Sequence, residues 1–139
     1  MYSGSGFSDW EIGDITVIVN NGVYHLFHLI IPNHDYIAHA VSRDGISWRR
    51  VNNALFVGHP GDWDDDMLWT MHVVETNGKF EMYYTGLQRK DRGVISRVGL
   101  AESTNLIEWT KNKKNFFPIE PKGIFYETHQ TNPRTWLSF

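Results

Sequence analysis

One nine-residue phrase occurs twice in this chain. Residues 40–48 read AVSRDGISW and residues 101–109 read AESTNLIEW, and both reduce to Ala-x-Ser-x-(Asp/Asn)-x-Ile-x-Trp. The second copy begins 61 residues after the first (101 − 40). Self-similarity at a fixed spacing indicates a repeat architecture. The chain is therefore expected to fold as two related units.

A second match extends the repeat. Residues 15–30 align with residues 71–86, which places Asn21-Gly22 over Asn77-Gly78 at a spacing of 56 (78 − 22). The spacing then grows to 61, so the second unit carries about five extra residues, near GLQRKDRG. Insertions of this size belong in loops.

Each unit predicts four β-strands and almost no helix. Asn-Gly is a strong hairpin signal between the first two strands, and the serine phrase supplies the turn between the third and fourth. The predicted strands are 15–19, 23–30, 36–42 and 48–51 in the first unit, and 69–75, 79–85, 95–101 and 108–111 in the second.

A repeated four-stranded meander predicts an all-β fold, and specifically a β-propeller. We expect about two four-stranded antiparallel blades: blade 1 over about 14–58, blade 2 over about 69–118, and 119–139 as a connection to a missing third blade. A jelly roll or an immunoglobulin-type sandwich is the rival, but neither explains the repeated turn and tryptophan. Propellers need about four or more blades to close. The chain is therefore expected to be an N-terminal fragment, poorly soluble and inactive alone.

Composition excludes several function classes. The net charge is −3 and the pI is near 6.1, which predicts no nucleic-acid or acidic-membrane partner. No apolar run is long enough to span a membrane. The absence of cysteine excludes thiolate chemistry and disulfides. Together with the lack of a visible signal peptide, it favours a cytoplasmic location.

Propeller topology sorts the loops onto two ends. The Asn-Gly turns and serine phrases share one end, where they are read as scaffold. The opposite end collects longer loops rich in acid, imidazole and indole, which are typical of a ligand-binding surface. These loops carry Asp62, Asp64, Asp65 and Arg89, and the selected candidates for substrate binding are Trp10, His34, Asp35, Asp66, Trp69 and His72.

Asp14 is the candidate catalytic residue, because it precedes an apolar inner strand and should point towards the propeller axis. The alternative is a structural turn or cap carboxylate. Carboxylates facing each other across a pocket can cleave glycosidic bonds, and tryptophans suit the apolar faces of sugars. Asp62, Asp64 and Asp66 have EF-hand-like spacing, but Met67 and Val73 occupy the positions that require Gly and Glu, so that metal site is rejected. No metal or cofactor is predicted.

The segments GDITVIVNNGVYHLFHL, NHDYIAHAVSRDGISW and GDWDDDMLWTMHVVETNGKFEMYYTGL resemble the first two blades of five-bladed propeller glycoside hydrolases, the broad group of families 43, 32, 68 and 62. The resemblance implies that Asp14 is the general base of an inverting enzyme or the nucleophile of a retaining one. Many members have Asp-Pro where this chain has Asp14-Ile15. It also implies that the second carboxylate, in an Arg-Asp-Pro phrase, and the acid Glu lie beyond Phe139.

The leading hypothesis is a glycoside hydrolase acting on an oligo- or polysaccharide, with the remaining blades of the same propeller as partners. A noncatalytic carbohydrate-binding propeller is the first alternative. A sialidase-like propeller is the second, because the serine phrases resemble Asp-boxes. They are one residue short between Asp and Trp, however, and the arginines available to a sialidase site are few: Arg89, Arg92 and Arg134.

Overall fold

The computed structural model of the protein describes residues 11–114 and 117–119. Ten strands form two antiparallel sheets, and in this part of the chain the helical structure consists of one 3₁₀ turn, Arg89–Asp91. None of the described residues forms a helix long and apolar enough to cross a membrane. The strands are β1 (Glu11–Asn20), β2 (Val23–Ile31), β3 (Tyr36–Ser42), β4 (Arg49–Arg50), β5 (Leu55–Phe56), β6 (Met67–Thr76), β7 (Lys79–Leu87), β8 (Ser96–Ser103), β9 (Thr110–Lys111) and β10 (Phe117–Ile119).

Each sheet is a blade of three long strands with an outer strand in two short pieces. In the first blade β4 and β5 both pair with β3, and in the second β9 and β10 both pair with β8. The sequence predicted one continuous fourth strand per blade. Between the first pair of pieces, Val51 and Ala54 still donate backbone hydrogen bonds to β3, at 3.0 and 2.9 Å. Asn52 and Asn53 interrupt the ladder between these two bonds.

The hydrophobic core lies between the two blades. Side chains of β2 and β3, including Phe27 and Leu29, pack against β6 and β7, including Val73 and Met82. Trp109, from the second serine phrase, meets the Phe27 ring edge-on with centroids 5.5 Å apart. One repeat unit therefore buries its apolar face on the next, as stacked repeats require.

One face of β1 is exposed to solvent. Ile15, Val17 and Val19 are 60%, 47% and 54% exposed, whereas Met71 and Val73, which match Ile15 and Val17 in the second unit, are 3% and 4% exposed. The continuous apolar run of residues 15–19 predicts an inner strand packed on both faces. In the described part of the chain β1 packs on one face, because no other described sheet covers the side that carries Ile15, Val17 and Val19.

The first serine phrase folds into a turn held by side-chain hydrogen bonds. The Ser42 hydroxyl accepts from the backbone N–H groups of Asp44 (3.2 Å) and Gly45 (2.9 Å). One Asp44 carboxylate oxygen accepts from those of Ile46 (2.9 Å) and Ser47 (2.7 Å). Short polar side chains stabilise turns in this way.

The second serine phrase repeats this bonding residue for residue. Ser103 accepts from the N–H groups of Asn105 and Leu106, and the Asn105 amide oxygen accepts from the next two N–H groups. Each tryptophan also donates its indole N–H to the backbone at 3.1 Å, Trp48 to Gly45 and Trp109 to Leu106. The structure confirms that the repeated phrase is scaffold.

Asp44 gives the first of these turns a pH dependence. Hydrogen bonds from the Ser47 and Ile46 backbone N–H groups lower the Asp44 pKa from 3.8 to about 2. A depressed carboxylate pKa stabilises the fold above the unfolded-state value, and the contribution disappears as pH falls towards the folded-state value. We expect Asp44→Ala to lower the melting temperature at pH 7, with the deficit vanishing between pH 4 and pH 2.

The control for this experiment is Asp44→Asn. An amide accepts the same hydrogen bonds, as Asn105 does in the second blade, but it does not titrate. The melting temperature of Asp44→Asn should therefore exceed that of Asp44→Ala by the same margin at pH 7 and at pH 2. A deficit of Asp44→Ala that persists unchanged at pH 2 would contradict the assigned role of the carboxylate.

Candidate functional site

Both inner strands carry a β-bulge at the same place in the repeat. The register of β1 against β2 shifts between Ile12 and Ile15, and that of β6 against β7 shifts between Leu68 and Met71. In each bulge two residues of the inner strand lie opposite one residue of the neighbouring strand. These two residues are Gly13-Asp14 in β1 and Trp69-Thr70 in β6, which match at the repeat spacing of 56. A bulge bends a strand and redirects its side chains.

Glycine at position 13 permits the first bulge. A Cβ on Gly13 would lie 3.0 Å from the Leu29 Cβ and 3.1 Å from the Ile31 Cδ1. A larger residue would push the two strands apart at the point where Asp14 leaves the ladder.

The two bulges place Asp14 and Thr70 in direct contact. The Thr70 hydroxyl donates a hydrogen bond to Asp14 Oδ2, and both residues are exposed. Two residues further along β1, the Thr16 hydroxyl accepts from the Val73 N–H at 3.5 Å. Asp14 is therefore an accessible carboxylate with one oxygen bound by the neighbouring blade. Thr70 was not among the predicted site residues, although it lies at the repeat spacing of 56 from Asp14.

His34 and Trp69 form a second contact at this end of the sheets. Their rings stack with centroids 4.3 Å apart and planes 12° apart. His34 lies in the loop between β2 and β3, and its carbonyl accepts from the Leu68 N–H at 2.8 Å. Trp69 and Thr70 are the two residues of the β6 bulge, so the stacked pair and the Asp14–Thr70 contact lie at the same end of the sheets.

The acidic segment before β6 is mostly structural. Asp62 accepts from the His59 N–H at 2.8 Å, and Asp65 accepts from the Gly61 and Arg89 N–H groups, each at 2.8 Å. These backbone donors, that of Arg89 foremost, lower the Asp65 pKa. The carboxylates of Asp62 and Asp65 fix the loop that joins the blades.

Asp64 is the buried member of this segment. It is 2% exposed, and its Oδ2 accepts from the Tyr84 hydroxyl at 2.9 Å and from Lys111 Nζ at 2.6 Å. Burial, and then the Asp64 charge, raise the Tyr84 pKa. Trp63 stacks on Tyr84 and covers Gly86 and Gly99, where a Cβ would collide with the indole. A glycine inside a strand indicates that another group approaches the backbone closely, and this is the sequence signal for the position of the Trp63 indole.

The histidines of β2 and β3 are also structural. His25 Nδ1 lies 3.0 Å from His39 Nε2, and His39 stacks between His25 and Phe27. Burial lowers the pKa of His25 and lowers that of His39 to about 3. The two imidazoles are therefore neutral at ordinary pH and belong to the core.

The remaining candidates differ in exposure and in their contacts. Asp66 is half-buried with its Oδ1 3.8 Å from Arg89 Nη2, and Asp35 is exposed beside His34. His72 is exposed two residues beyond Thr70. Trp10 lies outside the described residues. Within the described part of the chain, no group of three His, Asp or Glu residues could hold a metal ion.

Comparison with known proteins gives a consistent result. Residues 14–138 match the Glycosyl hydrolases family 32 N-terminal domain. The 6(G)-fructosyltransferase of Asparagus officinalis is 33% identical over 114 residues, which cover 74% of this chain and 18% of the relative. The insoluble isoenzyme 4 of β-fructofuranosidase from Oryza sativa subsp. japonica is 32% identical over 127 residues, covering 84% of this chain and 21% of the relative.

A solved structure shows the same arrangement. Fructan 1-exohydrolase IIa from Cichorium intybus superposes with a TM-score of 0.66 at 26% identity, covering 81% of this chain and 22% of that enzyme. The predicted β-propeller fold is confirmed by this likeness. The chain spans about a fifth of the length of the relatives it matches.

Proposed function

We propose that this chain, which belongs to family 32 of the glycosyl hydrolases, supplies the nucleophile of an enzyme that cleaves β-fructofuranosyl bonds. The observation that carries the proposal is the accessible Asp14 carboxylate on its bulge, bound by Thr70. The names of the relatives, a fructosyltransferase, a β-fructofuranosidase and a fructan exohydrolase, support a fructoside as the substrate.

The reaction proceeds in two displacements. Asp14 Oδ1, the oxygen that Thr70 does not bind, attacks the anomeric carbon of the fructosyl unit while a carboxylic acid elsewhere in the longer protein protonates the leaving oxygen. Water or a sugar hydroxyl then attacks the same carbon, gives its proton to the carboxylate that acted as the acid in the first step, and releases Asp14 as a free carboxylate. This is the retaining mechanism of glycosidases, in which the two carboxyl groups flank the bond.

The nucleophile role is favoured over the base role by the transferase among the relatives. Transfer to a sugar acceptor requires the fructosyl group to stay on the enzyme until the acceptor arrives. A covalent bond to a carboxylate meets that requirement. A general base that activates water leads directly to hydrolysis.

The residues near Asp14 form the proposed substrate site. The Trp69 indole, 40% exposed, offers an apolar surface for the sugar ring. Asp66, Asp35 and His72 offer polar groups for its hydroxyls, and Trp10 is proposed to complete the wall. Buried hydrogen bonds to hydroxyls discriminate strongly between sugars, because a wrong ligand leaves them unpaired.

The other blades of the same propeller are the proposed protein partner. The exposed side of β1, formed by Ile15, Val17 and Val19, is the surface on which a further blade would close the ring. We propose that the chain is the N-terminal part of this longer protein, which holds the remaining catalytic carboxylates.

The test is turnover by the longer protein. We expect it to release fructose from sucrose or from a fructan, and to leave xylan and arabinan intact. Binding of these fructosides without release or transfer of fructose would instead identify the noncatalytic carbohydrate-binding alternative. Failure to bind or cleave any fructoside would contradict the proposal.

Thr70 gives a prediction of its own. Thr70→Val keeps the shape of the side chain but removes the hydrogen bond to Asp14. The carboxylate then loses the contact that orients its reactive oxygen towards the anomeric carbon. We expect kcat to fall about 10- to 100-fold, since a hydrogen bond to a charged group contributes about 1.5–3 kcal/mol. Thr70→Ser should recover most of the rate. Equal kcat values for Thr70→Val and Thr70→Ser would contradict the role of the hydroxyl.

A further inference from the structure

The contact between His34 and Trp69 takes no part in the proposed displacements at Asp14. The His34 imidazole lies flat against the Trp69 indole, with the ring centroids 4.3 Å apart. Trp69 remains 40% exposed, so part of its surface stays open to a ligand while His34 covers another part. His34 itself is half-buried, and its Nδ1 is buried with no hydrogen-bond partner. Within the described residues, the stack on Trp69 is the contact seen for the imidazole.

The loop that carries His34 is held by hydrogen bonds from three segments. The Asn33 side chain accepts from the Asp35 N–H at 2.8 Å within the loop. The Asp35 carbonyl accepts from the Val57 N–H and the His34 carbonyl from the Leu68 N–H, both at 2.8 Å. The imidazole is therefore presented from a fixed backbone.

Trp69 is less constrained by its own strand. It lies in the bulge of β6, where the ladder to β7 is interrupted between Leu68 and Met71. A large ring at an interrupted ladder position can adopt several rotamers, and ordering it on ligand binding costs affinity. The stack with His34 removes that freedom before the ligand arrives.

We propose that His34 is a positioning residue that holds the Trp69 indole as a preformed platform for the sugar ring bound beside Asp14. This inference rests on the proposed function. It adds that the first blade orients the binding surface of the second, through ring stacking and not through a hydrogen bond from the imidazole.

The experiment uses the longer protein and sucrose as the probe. Sucrose binding is measured by calorimetry in an Asp14→Asn background, and kcat and KM are measured with Asp14 intact. We expect His34→Ala to weaken binding and raise KM about 3- to 10-fold, the range expected for one aromatic pair, with kcat nearly unchanged. His34→Phe, which keeps a flat ring, should restore binding. His59→Ala, an exposed histidine in the loop between the blades, is the matched control and should match wild type.

A double variant shows whether His34 acts through Trp69. Once Trp69→Ala has removed the indole, adding His34→Ala should cause no further loss, because the two residues then belong to one interaction. Additive losses, an unchanged KM in His34→Ala, or failure of His34→Phe to restore binding would each overturn the inference. Absence of fructose release by the wild-type protein would contradict the proposed function, whereas the calorimetry decides the role of His34 separately.

Discussion

An Asp14→Asn variant of the longer protein should lose nearly all activity, with kcat reduced at least about a thousandfold. Removal of a catalytic nucleophile typically costs several orders of magnitude. The amide keeps the size of the side chain and can still accept the Thr70 hydrogen bond seen in the structure. It cannot form the ester to the anomeric carbon. The change therefore tests the chemistry with little effect on the fold, and kcat for sucrose is the measurement.

Two further variants make this result specific. Asp14→Ala leaves space for a small anion, so added azide should restore turnover and yield a fructosyl azide of inverted configuration, as expected when a nucleophile has been removed. Glu75→Gln removes one exposed carboxylate at the opposite end of β6 and should leave kcat unchanged. A folded Asp14→Asn protein that turns over at the wild-type rate would exclude Asp14 from catalysis.

The long strands could be predicted from the sequence because local signals define them. The two Asn-Gly turns have positive φ at both residues in the structure, as the hairpin rule requires, and they set the ends of β1, β2, β6 and β7. The predicted 36–42 strand matches β3. The short outer strands were predicted less well, because two-residue pairings leave no periodic pattern to detect.

The site was predicted only in part, because its contacts join residues distant in sequence. Asp14 could be selected as a candidate because it precedes an apolar strand. Its partner Thr70 lies 56 residues away in the sequence. Asp62 and Asp65 looked like ligand-binding acids, since nothing local shows that they cap a loop. Their hydrogen bonds to backbone N–H groups emerge only when the loop is folded.

Asp64 shows the same limit most clearly, because its counterion is 47 residues away in sequence. In the sequence Lys111 begins the basic run KNKK, which is typical of an exposed strand end. In the structure Lys111 Nζ lies 2.6 Å from the Asp64 carboxylate, whose side chain is 3% exposed. The ion pair joins the connection between the blades to the outer edge of the second blade.

Lys111→Met should therefore destabilise the fold by about 3 kcal/mol, the lower end of the usual cost of removing one partner from a buried ion pair, because the Lys111 side chain is 25% exposed. Methionine preserves most of the length and the apolar stem. The loss would come from leaving the Asp64 charge buried with the Tyr84 hydroxyl as its remaining hydrogen-bond donor in the described part of the chain. Urea unfolding of wild type and variant measures the difference directly.

Two comparisons separate the ion pair from a general effect of losing a lysine. Lys113→Met changes an exposed lysine two residues further along and should alter stability by less than about 0.5 kcal/mol. Adding Asp64→Asn to Lys111→Met should recover most of the lost stability, because no charge then remains buried while Tyr84 still has an acceptor. If Lys111→Met unfolds at the same urea concentration as Lys113→Met, the ion pair does not hold the connecting loop on the second blade.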